Sequence, residues 1–315
     1  MGLIDTAAAG QWMDDDTVAA SFRLAAIDID ATLLGADGEI SRENLLAIST
    51  LRSSGVRVVL ASGRSHANML HFHHTLRLGA GPVISAQGAV VRGALSGAIW
   101  YENAGPPAAI EAVTRDGIER GFAVQHYRRD AIYVDARSTW TERDQARNGQ
   151  PQVVVPLFEA AGWEGVFKVI WLGDPEAVVA TAASARARFA GELSVTETDP
   201  GYLEFGPLDS SKAVGLAEVA KRLDIKRQDI VAFGDGNNDV PMLRWAGLGV
   251  AMPHGSVAAS EAADLVAPDG DPESALARGI ELALSRGVAG AAPTRKVARQ
   301  PTSGPWRGST RSWVR

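Results

Sequence analysis

Apolar positions along the chain alternate between short continuous runs and helically spaced sets, the pattern of buried strands connected by amphipathic helices. Leu24-Ala25-Ala26-Ile27 is the first run, and it passes directly into Asp28-Ile29-Asp30-Ala31-Thr32. Ser41-Arg42-Glu43-Asn44 then precedes Leu45, Leu46, Ile48 and Leu51, with Gly55 closing the set: an N-cap, an apolar helix face and a C-terminal glycine. Val56 to Ala61 reads as a second buried strand ending in Ser62-Gly63-Arg64. Strand, helix, strand in this order predicts a right-handed βαβ unit and a parallel sheet. A helix follows over roughly 65–78, then a third strand over Gly81 to Ala86, ending at Gln87-Gly88-Ala89.

From about Val90 to Phe205 the pattern changes. Candidate strands at 98–101, 122–127, 131–136, 166–172, 193–196 and 202–205 are interleaved with helices over about 107–120 and 175–189, and a short charged helix lies near 140–150. Mixed strands and helices between two halves of a parallel sheet predict an inserted α+β domain. The first pattern resumes with a helix after Ser211-Lys212, a strand over Asp229 to Phe233, and the loop Gly234-Asp235-Gly236-Asn237-Asn238-Asp239. Short strands at 248–252 and 264–267 and a helix over 272–285 complete it. The expected organisation is an α/β, doubly wound parallel-sheet core over 22–89 and 206–285, an α+β insert over 90–205, a flexible lead-in over 1–21, and a disordered basic tail over 286–315.

At 315 residues with 46% hydrophobic and 22% charged positions, the chain has the composition of a soluble two-domain protein, and no apolar run is long enough to cross a bilayer. Without cysteine it has no thiolate nucleophile and no Cys-ligated zinc, which favours hard, oxygen-bound cations. The segment through Thr17 carries Asp14, Asp15 and Asp16 rather than a secretory signal's basic start and apolar core, so the expected location is the cytoplasm. A formal charge of -6 argues against a nucleic-acid partner. Nothing in the pattern specifies an oligomeric state. His66, His71, His73 and His74 crowd one helix, but without an acidic neighbour in that run they read as a solvated face rather than a metal site.

Asp28 and Asp30, Ser62, Lys212, and Asp235 with Asp239 all fall at carboxyl ends of predicted strands or at an adjoining helix start. In open α/β sheets the ligand crevice lies outside those ends, so these residues are expected to converge. With period-two alternation, Asp28 and Asp30 point the same way unless the turn re-aims the second. Asp28, Asp235 and Asp239 offer oxygen ligands in the number that Mg²⁺ takes alongside waters and a substrate phosphate. A lysine and a serine hydroxyl beside them supply charge neutralisation and a hydrogen bond for a transferring phosphoryl group. The reaction class these groups point to is phosphoryl transfer.

Asp28-Ile-Asp30-Ala-Thr32, Ala61-Ser62-Gly63-Arg64, Lys212 and Gly234-Asp235-Gly-Asn-Asn238-Asp239, in that order, resemble the four motifs of the haloacid dehalogenase (HAD) superfamily, and within it the Cof-type sugar-phosphatase branch. Phe122 to Tyr127 and Lys168 to Trp171, followed by Pro175-Glu176, resemble that branch's α/β cap. The resemblance implies a Rossmann-like core under a cap, and a Mg²⁺-dependent phosphatase of small phosphorylated metabolites, sugar phosphates among them. It implies Asp28 as nucleophile, Asp30 as acid and then base, and Mg²⁺ on Asp28, the Asp30 carbonyl, Asp235 and Asp239. Ser62, Gly63, Lys212 and Asn238 would bind phosphate, and Gln87, Arg64, Arg128, Trp140 and Arg143 the remainder of the substrate. A phosphomutase of the same superfamily and a weakly active phosphometabolite-binding protein are the alternatives. Ala31, Ala213 and Gln87 depart from the glycine, glycine and asparagine usual at those positions in such relatives.

Overall fold

The computed structural model describes residues 22–129 and 131–288; the expected lead-in over 1–21 and most of the expected tail lie outside them. In chain order, the first part holds β1 (Leu24–Ile27), α1 (Arg42–Ser53), β2 (Arg57–Ala61), α2 (His66–Thr75), β3 (Pro82–Ser85), β4 (Val90–Gly93) and β5 (Ile99–Glu102). Then come α3 (Pro107–Glu119), β6 (Ala123–Tyr127), β7 (Ile132–Val134), α4 (Thr139–Asn148), β8 (Gln152–Val154), β9 (Lys168–Leu172), α5 (Pro175–Arg188), β10 (Leu193–Asp199) and β11 (Tyr202–Pro207). The last part is α6 (Lys212–Arg222), β12 (Ile230–Gly234), α7 (Val240–Trp245), β13 (Leu248–Ala251), α8 (Val257–Ala262), β14 (Leu265–Val266) and α9 (Ala275–Val288).

The core sheet runs β14-β13-β12-β1-β2-β3-β4-β5, parallel from β14 to β3 and antiparallel at β4 and β5. Its parallel part has the doubly wound order, reversing between β1 and β12, where such sheets open a crevice at their carboxyl ends. Alternation sends Ala25, Ile27, Val58 and Leu60 to a layer with Ile48, Leu51, Met69 and Leu276, while Leu24, Ala26, Val59 and Ala61 face Leu216, Val219, Met242 and Leu243. Both faces are covered, so these strands read as unbroken apolar runs rather than alternating ones. Ser41 and Ser211 cap α1 and α6, each accepting a backbone N–H three residues on, which stabilises each helix start by about 1 kcal/mol.

The second sheet has the order β10-β11-β9-β6-β7-β8. One face packs Trp171, Phe205 and Val124 against Ile110, Val113, Val178 and Ala182 of α3 and α5. The other carries Tyr127, Lys168, Ile170, Tyr202 and Glu204, which line a cavity together with the carboxyl ends of the core strands. This sheet with its helices is the cap.

Three expectations need correcting. Residues 90–102 were assigned to the insert, but β4 pairs with β3 and β5 with β4 in the core sheet, because the turn at 86–88 reverses the chain alongside β3. The tail was expected from 286, but α9 runs to Val288. The histidine-rich helix face is not uniformly solvated: His73 is buried, while His71 and His74 are exposed. No helix among the described residues is long and apolar enough to cross a membrane.

Candidate active site

β1 ends at Ile27, and Asp28, donating its backbone N–H to Phe233 O, turns a buried carboxylate toward the end of β12. Ala31 adopts φ +56°, a left-handed conformation that costs an alanine roughly 1 kcal/mol relative to glycine. Its carbonyl accepts from His254 Nε2 at 2.7 Å. At this turn the two carboxylates have different partners, Lys212 for Asp28 and Arg64 for Asp30. Arg64 takes the Asp30 carboxylate in a two-pronged grip, Nε to Oδ2 at 3.0 Å and Nη2 to Oδ1 at 2.7 Å.

Lys212, the first residue of α6, is wholly buried and donates to Asp28 Oδ1 and, at 2.7 Å, to Asp239 Oδ1. The other Asp239 oxygen accepts the backbone N–H groups of Asp235 and Gly236 at 3.1 and 2.9 Å. Thr32 donates to Asp235 Oδ1 at 3.0 Å, tying the β1 turn to the β12 loop. Asp28, Asp235 and Asp239 each have an oxygen within 4.8 Å of the others. Burial, then the charge of Asp239, pushes the carboxyls of Asp28 and Asp235 above their ordinary range. Burial alone would lower the Lys212 pKa, but Asp239 and Asp28 together raise it, so the ammonium persists at neutral pH. One ammonium against three crowded carboxylates leaves excess negative charge that a cation relieves, and an all-oxygen donor set fits a hard divalent one.

Ser62 and Gly63, at the end of β2, line the same cavity, and Ser62 Oγ accepts the Arg64 N–H at 3.2 Å. Ala86 and Gln87 both take positive φ at the end of β3, and the Gln87 N–H returns to Ser62 O at 3.1 Å. The Gln87 side chain lies over Gly63, where a Cβ would come within 2.5 Å of Nε2, and its Oε1 accepts from Asn238 Nδ2 at 3.3 Å. Three non-glycine residues with positive φ thus sit at this one rim, the kind of stored strain that gathers where a surrounding structure over-determines a site.

Asp28, Asp30, Ser62, Gly63, Arg64, Gln87, Asp235 and Asn238 therefore share a cavity of about 400 Å³, with Lys212 and Asp239 bonded beneath it. The cap supplies Tyr127, Asp144, Lys168, Thr198, Tyr202 and Glu204 to the same cavity. Burial raises the Tyr127 phenol well above its ordinary pKa, so it stays protonated. Arg128, Trp140 and Arg143, expected at the substrate, do not line it. Arg128 donates to the carbonyls of Ala161, Gly162 and Glu164, and Arg143 is exposed with its guanidinium 5.3 Å from the Trp140 ring. Lys168 and Glu204 were not singled out from the sequence. The available signal was a charged residue inside each of two otherwise apolar strands, Phe167-Lys168-Val169 and Leu203-Glu204-Phe205.

Residues 25–280 match the family model described as haloacid dehalogenase-like hydrolase. The chain is 27% identical over 243 residues to the HMP-PP phosphatase of Yersinia pseudotuberculosis, a span of 73% of this chain and 84% of that one. It is 25% identical over 276 residues to the 5-amino-6-(5-phospho-D-ribitylamino)uracil phosphatase YcsE of Bacillus subtilis, covering 82% of this chain and 94% of the relative. A crystal structure of a haloacid dehalogenase-like hydrolase from Bacteroides thetaiotaomicron superposes with a TM-score of 0.75 at 25% identity, over 83% of this chain and 99% of that one.

Proposed function

This chain belongs to the haloacid dehalogenase-like hydrolases, and from that premise we propose that it is a Mg²⁺-dependent phosphatase of small phosphorylated metabolites working through an aspartyl-phosphate. The observation that carries the reading is the convergence of Asp28, Lys212, Asp235 and Asp239, drawn from both halves of the core, on the end of one sheet. A polyol or sugar phosphate is the favoured substrate class. The cavity's cap side is polar and hydrogen-bonding, and the Bacillus relative is named for a phosphoribityl compound.

In the first displacement an Asp28 oxygen attacks phosphorus, the bond to the leaving oxygen breaks, and Asp30 gives that oxygen a proton. In the second, Asp30 takes a proton from water, whose oxygen attacks phosphorus and releases Asp28 with inorganic phosphate. Splitting hydrolysis in this way replaces one difficult step with two easier ones. Lys212 holds the Asp28 carboxylate and offsets negative charge on the phosphoryl group it attacks, and the Ser62 hydroxyl, with Asn238 beside it, grips phosphoryl oxygens. Asp28, the Asp30 carbonyl and Asp235, with Asp239 directly or through a water, would hold Mg²⁺, which when bound supplies charge neutralisation for the phosphoryl group. Asp30 lines the cavity with its side chain about half exposed beside Arg64, a position that suits a group exchanging protons with substrate and solvent.

The test is phosphate release from p-nitrophenyl phosphate and a panel of sugar phosphates, with Mg²⁺ and with a chelator, by the natural chain and by Asp28→Asn. Release that requires both the metal and Asp28 is expected; equal rates for the two proteins would remove the reading.

A further inference from the structure

The cap buries a cation that the chemistry above does not use. Lys168, on β9, is only 4% exposed, and its ammonium donates to Glu204 Oε1 at 3.0 Å and lies 4.3 Å from the centre of the Tyr127 ring. Its remaining bond crosses from cap to core: Nζ donates to the carbonyl oxygen of Gly63 at 2.8 Å. Burying a lysine and a glutamate costs several kcal/mol per charge, and a well-packed apolar pair of similar volume is often as stable or more so. Fold stability therefore gives no reason for an ion pair at this place, so its role must lie in what it touches.

What it touches is one peptide from the phosphate grip. The Gly63 carbonyl belongs to the Gly63–Arg64 peptide, whose N–H donates to Ser62 Oγ at 3.2 Å. The Ser62 backbone is itself fixed, its N–H to Ile84 O at 2.9 Å and its carbonyl to the Gln87 N–H at 3.1 Å. The Arg64 N–H occupies one lone pair of the hydroxyl of Ser62, which lines the cavity, so its rotatable proton can be donated to a ligand there. A cation on the carbonyl end of a peptide polarises it and strengthens its N–H as a donor, since hydrogen bonds in series reinforce one another.

We propose that Lys168 is a positioning residue that completes the phosphate-gripping loop from the cap, acting through the Gly63–Arg64 peptide on the Ser62 hydroxyl. The bond joins a cap strand to a core loop, so it exists only when the cap sheet lies on the core. Phosphate affinity is thereby tied to closure, and the grip is complete only where bulk water is displaced. The inference rests on the same site as the proposed hydrolysis but on a different property of it, phosphate binding rather than turnover.

The experiment is calorimetric binding of inorganic phosphate, with Mg²⁺ present, to the natural chain, to Glu204→Gln, and to Lys168→Met/Glu204→Gln, which removes both charges without orphaning either. Glu204→Gln keeps the ammonium that donates to Gly63 O and removes one negative charge from the cavity, so it is expected to bind phosphate no more weakly than the natural chain. The double variant is expected to bind it roughly ten-fold more weakly, the loss of one charge-assisted hydrogen bond. Its kcat/KM should fall alike for small and bulky phosphate esters. Unchanged phosphate affinity in the double variant, or a loss confined to esters with bulky leaving groups, would overturn the proposal and make Lys168 a leaving-group contact or a packing residue. Should the double variant fail to fold, Lys168→Gln/Glu204→Gln, which likewise removes both charges without orphaning either, supplies the same comparison. A natural chain that binds phosphate through Lys168 yet releases none from any ester would sink the phosphatase reading and leave this one standing.

Discussion

Gly88 offers a way to move Lys212 without touching it. It lies just past β3 at φ +88°, and a Cβ placed there would sit 1.9 Å from the carbonyl oxygen of Ser211 and 2.9 Å from the backbone nitrogen of Lys212. An ordinary carbon–oxygen contact is about 3.3 Å or more, so Gly88→Ala must push the start of α6 away by roughly 1.4 Å. The left-handed backbone adds about 1–2 kcal/mol of strain for a residue with a Cβ. The Lys212 ammonium bridges Asp28 and Asp239, and a displacement of about 1 Å in a catalytic group commonly costs on the order of 100-fold in rate. The expected result is a folded variant with a lowered melting temperature and kcat for p-nitrophenyl phosphate reduced by about two orders of magnitude. Thermal melting followed by steady-state kinetics measures both. A variant with the natural melting temperature and full activity would mean that α6 does not hold Lys212 where the chemistry needs it.

The other predictions concern the cap core and the first turn. His126 is buried against Phe158, with Nε2 2.7 Å from Thr114 Oγ1 and no partner for Nδ1, and burial, then Arg128, lowers its pKa from 6.5 to about 3. The folded state therefore holds the neutral ring while the unfolded chain protonates. Stability is complete above pH 6.5 and falls as the pH drops from there toward 3, by about 2 kcal/mol at pH 5. Urea titrations at pH 8 and pH 5 read this, and His126→Phe should flatten the difference; an equal fall in the variant would assign it to other groups. Ala31→Gly should relieve the strained turn and leave stability unchanged or raise it by up to about 1 kcal/mol, whereas the β-branched Ala31→Val should lower it. A clear loss of stability in the glycine variant would contradict the positive φ found there.

The core half of the candidate site was legible because most of its residues sit at strand ends, and strand ends are marked by the change from apolar run to turn chemistry. Asp28, Ser62 and Asp235 are placed by that one rule and Lys212 by the capped start of a helix, and the doubly wound order then brings them together. The hold of Arg64 on Asp30 was not legible. It depends on Ala31 taking a backbone conformation that an alanine disfavours, which its neighbours enforce, among them the His254 side chain 223 residues away. The placement of β4 and β5 was hidden for a related reason: two successive positive-φ residues without glycine, Ala86 and Gln87, turn the chain back along β3. In the cap, the side chains that reach the cavity are set by register. Tyr127 lies opposite Lys168, and Glu204 opposite Ile170, so Lys168 and Glu204 become a pair only once β9 and β11 are aligned. Arg128, Trp140 and Arg143 drew attention as isolated charges and aromatics, and their local partners hold them elsewhere.

Transfer of the phosphoryl group to Asp28 is the central step of the proposed reaction. Acid quenching of a single turnover, followed by peptide mapping, should find a phosphoryl adduct on the peptide that carries Asp28 and none in Asp28→Asn. An adduct on a different residue, or undiminished turnover by Asp28→Asn, would contradict it.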